Sequence, residues 1–264
     1  MTNTDNILIS VLVSTAAVGL YSNYYVVYGS IQGFIAIITT SLISSLGNLG
    51  VSGDKKRQYE IFNFALMFYH FTAALGLIGF SALLNDVVEL WLGAEYLFDW
   101  PTVFIIALNF YISNAISPVW MYREANGLFE QVRYLMLARA AVNIILSVLL
   151  GMIWGTFGIL LATAISLAVT NFWYEPRILF KKVFDLSVRE YWRTQGRYFL
   201  MTLLAMAVCY GAIGVLPRAA TLPLILIKTL LIILLTTGIF FVFVHRKPEY
   251  GEIKALYARL RKSR

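Results

Sequence analysis

Apolar residues gather into seven long runs, at approximately residues 20–47, 61–84, 102–118, 134–153, 155–174, 198–216 and 222–244. Each is near or above the length of about 17–25 residues with which a helix crosses a hydrocarbon core roughly 30 Å thick. Gly, Pro and charged residues break the pattern at 50–60, 85–101, 122–133, 175–197 and 216–223, and again from His245 onward, so these segments read as loops and a tail. No run has the short apolar region and small-residue cleavage site of a signal peptide, and all seven count as structure. The predicted fold is all-α, a polytopic transmembrane helical bundle.

One segment does not fit the alternation. Ile7 to Leu20 is largely apolar, but as a helix it would be only about 21 Å long at 1.5 Å per residue, too short to cross. Thr2, Asn3, Thr4, Asp5 and Asn6 precede it without a base. Residues 1–19 are therefore expected to be the truncated end of a transmembrane helix, in a chain that is a fragment of something longer.

Composition removes other classes. Of 264 residues, 59% are hydrophobic and 13% charged, whereas soluble domains carry roughly a quarter charged residues. A single cysteine, Cys209, excludes an internal disulfide, a CxxC redox pair and a thiolate zinc site. His70 and His245 are too far apart in sequence to make a metal motif. No HExxH, GxSxG, P-loop or Asp-rich metal motif occurs, so no catalytic residue, metal, cofactor or enzymatic activity is expected. Glu89 and Glu95 could form a carboxylate pair, but they fit better as residues of a solvated loop anchored by Trp91 and Trp100.

Charge gives the bundle a direction. Of the 21 Lys and Arg residues, 19 fall in alternate loops and the tail, counting Arg139 with the loop before it. Such bias places the basic loops in the cytoplasm, with the C-terminus on that side of the cell membrane. The 85–101 loop, with Asp86, Glu89, Glu95 and Asp99 but no base, is expected outside. The net charge of +7 is then no nucleic-acid footprint, since the bases spread over one membrane face. Residues 181–197 mix aliphatic, aromatic and basic residues at helical spacing. In the basic tail 245–264, Ile253, Leu256, Tyr257 and Leu260 recur at helical spacing among bases, which suits either a helix on an anionic leaflet or a solvated tail.

Polar side chains inside the runs are costly in hydrocarbon, so a charge at depth marks a site by default. Asp5 and Arg139 are the two such residues. Asn23, Gln32, Asn109, Asn114, Asn143, Thr163 and Thr170 are neutral and could simply bond between helices. Lys228 is expected to snorkel to the nearer interface. Tyr21, Tyr24, Tyr25 and Tyr28 are either a binding wall or an interfacial belt. Gly29 with Gly33, and Gly151 with Gly155, suit close helix packing or a sliding contact.

Several stretches, taken in order, resemble a known family: TDNILIS (Thr4 to Ser10), VGLYSNY (Val18 to Tyr24), ELWLGAEY (Glu89 to Tyr96), LNFYI (Leu108 to Ile112), REANGLFEQVRY (Arg123 to Tyr134) and FWYEP (Phe172 to Pro176). They are similar to the Wzx-type polysaccharide flippases of the multidrug/oligosaccharidyl-lipid/polysaccharide exporter superfamily. The resemblance implies the second lobe of a two-lobe exporter fold plus two terminal helices. Residues 20–180 would be the remainder of that C-terminal lobe, and 181–244 an amphipathic segment with the last two helices. It further implies flipping of lipid-linked oligosaccharide repeat units, with an undecaprenyl-diphosphate-linked glycan and membrane lipids as partners and the missing N-terminal lobe as an obligate one.

Arg139, then Arg123 and Arg133, would hold the diphosphate, while Asp5, Asn143 and Thr163 stand on the helices through which some relatives couple to an ion. Since alternating access needs two bundles around a midplane site, the fragment alone is expected to be inactive. Two other classes remain open on the residues alone, a membrane-embedded glycosyl- or acyltransferase and a non-transporting scaffold of a polysaccharide assembly complex.

Overall fold

A computed structural model describes the backbone of residues 3–52, 55–217 and 219–245, and their side chains except at 3, 38 and 41–52. Arg218 and the patterned tail lie outside the described residues. Among those described there is no strand. The helices are α1 (Asn3–Leu12), α2 (Thr15–Ser52), α3 (Lys55–Leu92), α4 (Trp100–Ala125), α5 (Arg133–Val169), α6 (Asn171–Leu179), α7 (Arg189–Gly214) and α8 (Leu222–Val244). A short 3-10 turn (Ala94–Tyr96) and a π turn (Phe180–Phe184) complete them. Among the described residues five stretches are long and apolar enough to cross a membrane: Lys55–Leu92, Trp100–Ala125, Arg133–Phe184, Arg189–Gly214 and Leu222–Val244. This is a membrane helical bundle whose outer faces on α7 and α8 expose Leu200, Leu226, Leu230 and Phe241.

The helices outrun the apolar patterns because polar ends can stand in the interface once the core is spanned. α3, at 38 residues, starts on Lys55, Lys56 and Arg57 and continues to Leu92, so the acidic loop is much shorter than its composition suggests. Near the N-terminus the difference is one of position. The apolar run from Ile7 is no single helix; α1 stops at Leu12 and α2 begins at Thr15. Ser14 makes the break by accepting the Ala17 N–H on its hydroxyl at 3.1 Å, an N-cap that hydropathy alone does not reveal.

α5 holds two of the expected spans. If it were straight, Asn143 and Thr163 would stand about 30 Å apart. Instead the Asn143 amide donates to the Thr163 hydroxyl at 3.2 Å, so the helix reverses between them. The reversal is at Gly155, whose φ of 58° and ψ of −137° lie outside the helical region and favour a residue without a Cβ. Gly158 lets the arms close, since a Cβ there would come 2.0 Å from the Leu150 carbonyl oxygen. The two arms form a helical hairpin, and α1 packs on it with Leu12 and Val13 near the turn.

α3 and α4 share the most extensive helix contact. Gly76 makes room for the Phe110 ring, which would meet a Cβ at 2.0 Å. At the basic end Tyr122 donates to the Gln58 carbonyl at 2.7 Å and packs on Phe62 and Phe184, with Phe180 and Tyr191 against Phe62 in turn. At the other end the Tyr24 hydroxyl donates to Asn85 Oδ1 at 2.6 Å and accepts the Phe98 N–H at 2.8 Å. The basic loops thus gather at one end of the bundle.

Lys228 does not snorkel. It is 5% exposed, and its ammonium meets the Asp86 carboxylate at 2.6 Å, tying α8 to α3. A partner on the adjacent helix satisfies the charge without reaching the interface, and sequence spacing carried no sign of it.

Gly158→Ala should lower the thermal unfolding temperature in detergent sharply, by the equivalent of about 3 kcal/mol or more, because the clash is with backbone. Gly211→Ala, where a Cβ meets nothing within 4 Å, should leave it unchanged.

Candidate functional site

One cleft among the described residues is polar. Its volume is about 450 Å³, and its walls come from α1, α2, α4, both arms of α5, and α6. It runs along α4 from Asn109 to Arg123, about 21 Å of helix. Clefts of about 370 Å³ between α2, α3 and α8 and about 500 Å³ between α4, α6 and α7 are lined mainly by apolar side chains.

At its deeper end the polar cleft holds neutral groups. Asn109 donates to the Leu160 carbonyl at 2.9 Å, and Asn143 reaches Thr163 and, at 3.4 Å, the Ser166 hydroxyl. Tyr28 closes this end, its ring edge-on to Phe110 with centroids 5.4 Å apart. Thr4 lines the wall beside the buried Asp5, which acts electrostatically on Tyr21 and Arg139.

Toward the basic end the lining becomes cationic. Arg139 stands on the first arm of α5 with its guanidinium 5.7 Å from the Trp120 ring centroid, a cation–π contact. Trp120 and Arg123 lie three residues apart on α4 and so share a helix face. Arg123 is bonded through Nη1 to both oxygens of Glu175, at 3.0 and 3.2 Å. Glu175 also accepts from the Asn171 amide, and Thr170 donates to Asn171 Oδ1 at 2.9 Å. Two N–H donors are left: Trp120 Nε1 and Arg123 Nε are buried and have no hydrogen-bond partner among the described residues. Buried donors without partners are costly, and both belong to residues that line the cleft.

Of the residues singled out from sequence, Arg139, Arg123, Asn143 and Thr163 line this cleft together, and Asp5 is packed beside it. Arg133 is elsewhere: it is exposed, with its guanidinium 4.7 Å from the Tyr134 ring centroid. Of the tyrosine row, Tyr21, Tyr24 and Tyr28 are buried against the bundle and Tyr25 is exposed, so the row is no interfacial belt. Glu89 and Glu95 are both exposed, but Glu95 alone is in the loop, since Glu89 stands in the last turn of α3. Sequence reasoning missed Trp120, Asn171 and Glu175. The only available signal was that Arg123 and Glu175 both fall in stretches that carry the family resemblance, REANGLFEQVRY and FWYEP; the two residues form the ion pair.

This arrangement of helices is found in a solved structure of the lipid II flippase MurJ in an inward closed conformation, with a TM-score of 0.72. The chain shares the fold of the matched part of that structure. The match is 17% identical and covers 92% of this chain, and the chain spans about half, 51%, of the MurJ chain. No protein-family model matches the chain, and no curated protein matches it in sequence. At that identity the likeness carries the fold, and the residues of the cleft have to be argued from their own geometry.

The ion pair gives a direct test of that geometry. Arg123→Leu strands a nearly fully buried carboxylate and should destabilise the chain by about 3–5 kcal/mol. Arg123→Leu with Glu175→Leu removes both charges and should recover most of that loss, read as the midpoint of denaturant unfolding in detergent.

Proposed function

We propose that this chain is one lobe of a two-lobe exporter that flips a lipid-linked oligosaccharide repeat unit across the cytoplasmic membrane, and that the polar cleft is its half of the substrate cavity. The observation that carries this is the group of cationic and unpartnered donors at one end of the cleft: Arg139, Arg123 Nε and Trp120 Nε1. Such a set suits an anion rich in acceptor oxygens, because charge-assisted bonds to phosphate are the strong ones. A polyprenyl diphosphate carrying a glycan has that chemistry, with the lipid tail left among membrane lipids. Asn109, Asn143 and Thr163 further along the cleft can hydrogen-bond sugar hydroxyls.

In this reading residues 1–19 end one transmembrane helix, 20–180 complete the second lobe, and 181–244 carry the last two helices. The 245–264 tail and the basic loops face the cytoplasm, so the cationic end of the cleft opens where lipid-linked precursors are built. The likeness to about half of MurJ supports a missing first lobe, which would supply the opposite wall. Asp5, with Asn143 and Thr163, is assigned to ion coupling, being a buried carboxylate adjacent to the same cleft. No step of the reaction makes or breaks a covalent bond, so the chain acts as a transporter.

In a cell lacking its polysaccharide flippase, the chain produced together with a first lobe should restore surface glycan. Arg139→Ala should reduce the rescue at least about tenfold, the loss expected for one charge-assisted phosphate contact, and Asp5→Asn should reduce it as well. Full rescue by Arg139→Ala would remove the diphosphate site. Glycosyl or acyl turnover by the purified protein would overturn transport itself.

A further inference from the structure

Glu175 is the charged group at the cleft that substrate binding alone leaves without a task. It is 2% exposed and forms no part of the lining, yet it takes hold of Arg123, which does line the cleft. Its second partner, Asn171, also lines the cleft. Both oxygens of the carboxylate face one guanidinium nitrogen, at 3.0 and 3.2 Å. A carboxylate in this position offers a guanidinium what a phosphate does: negative charge and a pair of acceptor oxygens. Arg123 therefore has one buried anion bound already, with the half-exposed Glu124 carboxylate 3.4 Å from its Nη2, while its Nε stays without a partner among the described residues.

We propose that Glu175 is a built-in counter-anion of the cavity, which holds Arg123 while the site is empty and yields it to the diphosphate of the bound lipid-linked substrate. This rests on the substrate reading above. Exchange of one anion for another keeps Arg123 neutralised throughout, and the Glu175 carboxylate it leaves still has the Arg139 charge within electrostatic reach, so the lost pair opposes binding without leaving a buried charge alone. After exchange, the Asn171 amide remains on the Glu175 carboxylate. A flippase has to release its cargo, and a competing internal anion keeps binding weak enough for release.

The exchange also acts on the helices. Arg123 is in the last turn of α4 and Glu175 is on α6, and their ion pair is the charge link where those helices pack. Substrate that takes Arg123 releases that link, so occupancy of the cleft is coupled to the hold of α4 on α6. α6 follows the second arm of the α5 hairpin after a single residue, Thr170. The hairpin arm bearing Thr163 is therefore what the released link frees.

The test is binding of farnesyl diphosphate to the purified chain in detergent, by ligand-induced shift of the unfolding temperature and by titration calorimetry. Glu175→Gln, nearly isosteric, should bind about tenfold more tightly than wild type. The gain should vanish in an Arg123→Gln background, and farnesol, without charge, should show no gain. Wild-type binding that Glu175→Gln leaves equal or weakens overturns the exchange and leaves the substrate reading standing. Absence of binding by both proteins overturns the substrate reading, and the exchange falls with it. If Glu175→Gln fails to fold, Glu175→Asp, which keeps the charge but shortens its reach, should show a gain of about threefold, and equal or weaker binding by it overturns the proposal.

Discussion

A charge in hydrocarbon must be carried to an interface or neutralised where it stands, and most of this molecule follows from that constraint. The majority of the bases go to one end of the bundle, where the helix ends are riveted by an aromatic cluster around Tyr122 and Phe62. Those that stay inside are matched across helices: Lys228 with Asp86, and Arg123 with Glu175. Arg139 has the opposing charges of Glu175 and Asp5 within electrostatic reach and a tryptophan face against it. Each internal pairing joins elements distant in sequence, so the charges that cost most to bury also fix which helices are neighbours.

Hydropathy reads the spans well because each must exclude water from a fixed thickness of lipid, and every run wide enough for that purpose became helix. It reads ends poorly. The bilayer does not dictate where a helix stops once it has emerged, and α3 shows this by extending to Leu92. The Gly155 reversal was visible as a break between two runs, and a glycine at that break is what the φ value demands. The turn after Leu12 was not, since a serine cap leaves almost no trace in hydropathy.

The cleft was legible in its charged members and not in their partners. Arg139 and Asp5 stand out as charges within or near apolar runs. Glu175 does not, for it sits at the edge of a run, where a carboxylate is unremarkable until Arg123 is brought against it from 52 positions away. Trp120 looks like any membrane tryptophan, and only the absence of a partner for its N–H gives it significance. Sequence spacing encodes which residues share a helix face; it holds no record of which faces meet.

The ring of Phe110 occupies the place where Gly76 has no side chain. A knob seated in such a notch can neither slide along nor roll over its neighbour without leaving the notch, and packed interfaces of this kind shift between discrete arrangements or not at all. α3 and α4 therefore behave as a single rigid plank. Among the described residues the α5 hairpin faces that plank with one neutral hydrogen bond, Asn109 to the Leu160 carbonyl, and the Arg139–Trp120 contact instead of an interlock. Any change in the width of the cleft is then a movement of the hairpin, with α1 riding on it, against a fixed wall.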